Sequence, residues 1–309
     1  MNYDPADILA AQEHFGFARP TAIEKDWHIL RAMGAIASTD AAPFKFVFAG
    51  GTSLARAHKI VQRMSEDVDF KITPLTADSI SLNQRRKQLG SLRDRVTASL
   101  RAFGFSIDPA DSAQLRSRDG NRYIIYQLSY ANPNETAAHL RPTIQVELNY
   151  SALRRPWIDL PVASFVAEAF NRSPEITTIA CVSVAETAAE KLVSLTRRTA
   201  MELAGVARVP DPTLVRHIYD LHVTSAYYDA TEVAQLAREI MPRDAEEFAN
   251  QFPAYCENPV EETRRALAAL ETEQHFAQRY TEFLQLMVYG VKPGFAEAMA
   301  TIASLVRRL

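Results

Sequence analysis

"GGTSLARAHKIVQRMSEDVDF" spans residues 50–70. A glycine pair opens it, and three acids within four residues close it. Upstream, "PFKFVF" (43–48) sets Phe44, Phe46 and Phe48 at alternate positions, the period of a strand with one buried face. Leu54, Ala57, Val61 and Met64 recur at helical spacing and predict an amphipathic helix that runs on from the glycines. "DVDFKI" (67–72) alternates again, with Val68, Phe70 and Ile72 on one face and Asp67, Asp69 and Lys71 on the other. The order strand, glycine turn, helix, strand predicts an α/β arrangement.

Outward from this block, "PTAIEKDWHILRAMGAIAS" (20–38) offers a capping box at Thr21 and Glu24. It continues with Ile23, Trp27, Leu30 and Met33 at helical spacing. Residues 76–104 predict a basic helix, and "RDGN" (118–121) predicts a turn before the strand "RYIIYQLSY". "NPNET" (132–136) interrupts before "TIQVELNY" (143–150), whose Ile144, Val146, Leu148 and Tyr150 share a face opposite Glu147. After "RRPWIDLP" (154–161) helical patterns dominate to Leu309. The expectation is an α/β (α+β) domain with a mixed sheet over 1–160, followed by a helical domain over 161–309.

The bulk numbers narrow the classes. Among 309 residues, 34 Lys and Arg face 37 Asp and Glu, a net charge of −3. That predicts neither a uniformly basic nucleic-acid binder nor an acidic tail, although a sum does not show local patches. Two cysteines, Cys181 and Cys256, form no CxxC pair, and the seven histidines form no HxxxH or HxH set. The N-terminus lacks a basic flank and an apolar core, and no run approaches the roughly 20 apolar residues that span a bilayer. A soluble, cytoplasmic protein without a membrane partner is expected.

Asp67 and Asp69 put two like charges side by side on one strand face. Water on an open face would tolerate them, and so would a divalent cation. Mg²⁺ takes one or two carboxylates and completes its shell with water and phosphate oxygens. Glu66 points to the opposite face, as a solvated or paired acid. Glu147 is an exposed edge glutamate, or else a third carboxylate of a two-metal site if its strand lies beside "DVDFKI". Gly50 and Gly51 let the backbone turn tightly and approach an anion, and Thr52 and Ser53 add hydroxyls. No Gly-Lys-Ser/Thr follows, so this is not a P-loop.

"GGTSL" followed by "RMSEDVDF" resembles the AbiEii group of nucleotidyltransferase-fold toxins, from abortive-infection and MenT-type toxin–antitoxin systems. "IEKDW" (23–27) fits the N-terminal helix of that group, and the resemblance runs from about residue 20 to about 225. It implies a nucleotidyltransferase-like domain followed by helices, and nucleotidyl transfer from an NTP to an acceptor hydroxyl with pyrophosphate leaving. Mg²⁺ would sit on Asp67 and Asp69. The phosphates would lie at Gly50, Gly51, Thr52 and Ser53, with Ser65 nearby and Arg63 steadying the acids. Read alone, Ser65 is equally a turn residue and Arg63 a cation at the negative C-terminal end of the helix.

The group's downstream lysine corresponds to Lys191 in "SVAETAAEKLVSLTRR" (183–198). A Ser183/Glu186 capping box fixes the helix register, and Lys191 shares a stripe with Val184, Ala188 and Leu195. A snorkelling lysine fits the periodicity as well; the resemblance gives it nucleotide phosphates and catalysis. The later aspartate corresponds to Asp220 in "DPTLVRHIYDLH" (211–222), where Asp211–Pro212 would start a helix buried through Leu214, Ile218 and Leu221. Asp220 lies off that stripe and four residues after Arg216, so a plain i,i+4 ion pair explains it equally. Where relatives often place an acid after the arginine, this chain has His217.

The resemblance further implies a toxin with a cognate antitoxin, acting on RNA and in particular on tRNA 3′ ends. "QRRK" (84–87), Arg93, Arg95, Arg154, Arg155, Arg197 and Arg198 are candidates for an RNA-binding rim. A nucleotidyltransferase acting on a small molecule, or a non-catalytic nucleotide- or partner-binding protein, would use the same motifs.

Overall fold

The computed structural model describes residues 4–17, 19–76, 80–130, 140–206, 211 and 213–309. "NPNET" and Pro212 lie outside them. The chain divides into two compact units, one formed by 1–59 and 64–182, the other by 60–63 and 183–309.

The first unit runs α1 (Pro5–Phe15), α2 (Thr21–Ala37), β1 (Phe44–Ala49), α3 (Gly50–Arg56), β2 (Asp67–Pro74) and α4 (Leu82–Ala102). It continues with β3 (Leu115–Arg118), β4 (Tyr123–Ser129), β5 (Thr143–Tyr150), β6 (Ile158–Val162), α5 (Phe165–Ala169) and β7 (Ile176–Cys181). Its seven strands form one mixed sheet in the order β3-β4-β5-β2-β1-β7-β6. β1 is antiparallel to β2, while β2 and β5 are parallel.

Register explains the two faces. Cross-strand partners point the same way, so Phe46 and Phe48, Val68, Phe70 and Ile72, Val146 and Leu148, and Ile124 and Tyr126 make one apolar face. All are buried. α4 seats on it, where Tyr126 Oη and Thr97 Oγ1 lie 3.1 Å apart, and α2 packs beside α4. The opposite face carries Asp67, Asp69, Gln145, Glu147 and Gln127.

Three local expectations change. Thr21 is the first helical residue of α2 rather than its cap, and Pro20 takes the cap position with no side-chain bond. The helix after the glycines ends at Arg56, because Lys59 turns the chain into the left-handed region at φ 57°. Val61 is therefore buried outside any helix. β6 and β7 lie where helical patterns were expected to begin, and they extend the sheet to its second edge.

The second unit is helical: α6 (Val184–Leu203), α7 (Arg216–Val223), α8 (Ala230–Phe248), α9 (Pro253–Glu257), α10 (Pro259–Thr272), α11 (Gln274–Met287) and α12 (Phe295–Val306). α6 is its axis, packing against α8, α10 and α7. Ser183 caps α6 by accepting the Glu186 N–H at 3.2 Å, as expected. Ala200, Ala245, Phe252, Tyr255 and Ala266 form one of its apolar clusters.

Residues 60–63 thread into this helical unit. Gln62 O accepts N–H bonds from Tyr289 and Gly290 at 3.1 and 3.3 Å, and Arg63 forms a β-bridge with Val288.

Candidate active site

On β2, Asp67 and Asp69 share the polar face, and both are half-buried. The parallel register sets Asp69 beside Glu147 and Asp67 beside Gln145. Glu147 is thus on the strand next to the acids, not on an edge. Burial, and then the charge of Asp67, raise its pKa. Gln145 donates to its Oε1.

The glycine turn meets this face directly. Gly50 has φ +73°, open to glycine and strained for other residues. A Cβ there would overlap the Asp69 carboxylate. Thr52 and Ser53 are buried. Thr52 Oγ1 donates to the Asp67 carbonyl and meets Ser65 Oγ at 2.7 Å, which ties α3 to the start of β2.

Sequence reasoning missed the scaffold under the acids. The Arg141 guanidinium pairs with Asp67, and the Arg141 backbone N–H donates to Glu66 Oε1 at 2.7 Å. Glu66 pairs in turn with the fully buried Lys25, whose ammonium also donates to the Arg141 carbonyl at 2.7 Å. Glu66 is therefore the paired acid rather than the solvated one. The next residue, Asp26, accepts from Phe165 N–H at 2.7 Å and pairs with Arg56 Nε at 3.2 Å. Burial pushes its pKa up to about 6 against the pull of Arg56. The only signal in the sequence was "IEKDW", three consecutive charges inside an apolar helical segment.

Within the helical unit, Arg63, Lys191 and Asp220 form a buried triad. Arg63 Nε and Nη2 each lie 2.7 Å from one oxygen of Asp220, and Lys191 Nζ lies 2.7 Å from Oδ2. Asp220 is fully buried. Burial alone would raise its pKa, but Arg63 and Lys191 hold it well below the usual carboxylate range. It is thus not a surface residue, and its ion pairs are with Arg63 and Lys191. His217 is pushed below the ordinary imidazole range by burial and by Lys191 and Arg198. Arg63 sits on no helix, so it neutralises no helix dipole.

The proposed RNA-binding arginines are largely occupied. Arg93 bonds Asp94, Arg95 donates to the Asp40 and Ala42 carbonyls, Arg197 pairs with Asp244, and Arg198 with Asp211. Arg86 stays exposed.

Two carboxylates on a central strand, a third in register beside them and a glycine turn against one of them give the layout of a nucleotidyltransferase-type domain. Residues 31–301 match the family described as "Nucleotidyl transferase AbiEii toxin, Type IV TA system". The chain belongs to this family of nucleotidyltransferase toxins of type IV toxin–antitoxin systems. Membership implies an NTP substrate and an antitoxin partner.

The fold is similar to that of MenT4, a nucleotidyltransferase toxin from Mycobacterium tuberculosis H37Rv. The TM-score is 0.56 and the identity 18%, covering 97% of this chain and 89% of that one. No curated sequence matches significantly. Among the described residues, no helix is long and apolar enough to cross a membrane.

Nucleotidyltransferases generally use a divalent metal. Among the described residues, no three His, Cys, Asp or Glu side chains close around one point. The chemistry of the donor set fits instead an ion held by one or two carboxylates and completed by phosphate oxygens and water.

Proposed function

We propose that the polar sheet face binds Mg²⁺–NTP through Asp67 and Asp69 and transfers the nucleotide to an RNA hydroxyl, the 3′ end of tRNA. The observation that carries this is Gly50 turning against Asp69, with Glu147 in register on the far side. Like-charged carboxylates packed this way favour a bound cation.

When bound, the metal would neutralise phosphate charge. The acceptor oxygen forms a bond to the α-phosphorus, and the bond from that phosphorus to the bridging oxygen breaks, releasing pyrophosphate. Glu147, with its raised pKa, takes the hydroxyl proton or orients the hydroxyl. The Gly50–Gly51 backbone accommodates phosphate, with Thr52, Ser53 and Ser65 fixing the turn. Arg141 holds Asp67 in place.

Arg63, Lys191 and Asp220 carry two cations on one anion. The resemblance assigns Lys191 to phosphate charge, and Asp220, bonded to both cations, would orient Lys191 and Arg63. The similarity in fold to a nucleotidyltransferase toxin is consistent with this reading. A cytoplasmic location follows from an RNA substrate.

Incubating the protein with each α-labelled NTP, Mg²⁺ and total RNA, then resolving the RNA on a gel, tests the proposal. Label should appear in one size class of RNA from one preferred NTP. Label in a small acceptor but in no RNA would favour the small-molecule enzyme.

A further inference from the structure

β3 is an edge strand of four residues, "LRSR", and its two arginines share a side. Leu115 is buried opposite Tyr126 on the apolar face, whereas Arg116 and Arg118 pair with Ile125 and Tyr123. On β5 those two meet Glu147 and Asn149, and on β2 these meet Asp69 and Lys71. Two rows therefore cross the polar face, Arg116–Ile125–Glu147–Asp69 and Arg118–Tyr123–Asn149–Lys71. The edge lies three strand spacings from the acids, about 14 Å at the usual inter-strand distance.

Both arginines are exposed, and neither has an ion-pair partner among the described residues. Arg122 beside them, by contrast, is paired with Asp119 at 2.8 Å. The Arg118 guanidinium lies 4.8 Å from the centroid of the half-buried Tyr123 ring. Its charge is also felt at Glu147. Charge on an edge strand deters edge-to-edge pairing from either face. Here both charges stand on the side of the acids, and Ser117 stands on the other.

We propose that Arg116, Arg118 and Tyr123 form the path by which a single-stranded polynucleotide reaches the acids. The guanidinium groups take its phosphates, Tyr123 with Arg118 offers a stacking surface for a base, and the rows lead its terminal hydroxyl toward Glu147 and Asp69. Exposed arginines and an aromatic ring suit a flexible polyanion with unpaired bases. The inference rests on the nucleotidyl-transfer reading for its direction, but not for the binding itself.

The test is fluorescence anisotropy with a labelled single-stranded RNA across a salt series, on full-length protein, with melting curves to show folding. In Arg116→Ala/Arg118→Ala, binding should weaken and the log–log salt slope should flatten by about 0.7 for each lost contact. Tyr123→Leu should weaken binding about tenfold. Arg85→Ala should keep the wild-type slope, because Arg85 lies over Tyr150, which the register places on the opposite face.

An unchanged slope in the β3 variant overturns the proposal. So does a wild-type protein that prefers a poly-glutamate peptide to RNA, which would mark a surface for an acidic protein. Loss of RNA binding in the β3 variant alongside a wild type that transfers no nucleotide would retain the path and reject the reaction. Transfer to RNA that is indifferent to the β3 variant would do the reverse.

Discussion

Asp69 of β2 and Glu147 of β5 are register partners across a parallel strand pair, on the face that Asp67 also occupies. Parallel neighbours of this kind keep side chains on one level, so residues 78 positions apart meet as two like charges. Gly50 closes against the first of them. The expected consequences differ for each part of the arrangement.

Gly50→Ala should damage both fold and site. The backbone there is left-handed, which costs a residue with a Cβ about 1–2 kcal/mol, and the new methyl would displace the Asp69 carboxylate. A melting curve should show a loss of a few degrees, and Mg²⁺–NTP affinity should fall further than stability does. Full affinity in the variant would detach the glycine turn from the acids.

Asp220→Ala leaves Arg63 and Lys191 buried without their anion. Breaking a buried charge set this way typically costs about 3–5 kcal/mol, so denaturant unfolding should shift strongly. Lys191→Ala leaves the bidentate Arg63–Asp220 pair in place and should cost much less. It should nevertheless relieve growth arrest when the toxin is expressed without antitoxin, which colony counts will show.

Lys25→Met and Glu66→Leu should each destabilise the first unit, because each strands one buried charge. The double variant should recover much of the loss, since an apolar pair of similar volume can replace a buried ion pair. Activity should not recover with stability. Glu66 also accepts the Arg141 N–H, and Arg141 holds Asp67.

Asp26 gives a pH signature. Its folded pKa of about 6 lies above the ordinary aspartate value of 3.8 that the unfolded chain has. Its contribution is therefore fully present below that unfolded value and is lost as pH rises through about 6. Relative to Asp26→Asn, wild type should lose on the order of 3 kcal/mol across this window. Thermal melts of the two proteins in parallel buffers measure the difference. A constant gap from acid to neutral pH would contradict the shift.

Alternation made much of the first unit readable. Phe44, Phe46 and Phe48, and then Val68, Phe70 and Ile72, mark strands because one face is buried and the other is not. The same contrast put Asp67, Asp69 and Glu147 on the polar side. β3 carried too few residues for a period, and β6 and β7 follow a change in style that resembles a domain boundary.

Long-range pairings could not be read from local pattern. Asp220 and Arg63 lie 157 residues apart, and from sequence alone Arg216 was as good a partner as Arg63. Lys25 and Arg141 support the acids from places whose local pattern says only helix and loop. Helical spacing also carried the α3 prediction past Arg56, because Val61 and Met64 are buried by the fold without being helical.

The central claim is that the acid face is where nucleotide is transferred, and Asp69→Ala tests it most directly. The measurement is the rate of label transfer from an α-labelled NTP to RNA in Mg²⁺, with a melting curve on the same preparation. Transfer should fall by at least about 10²–10³. The melting temperature should hold or rise, because one of two repelling carboxylates is gone. Near-native transfer by a folded Asp69→Ala protein would contradict the account.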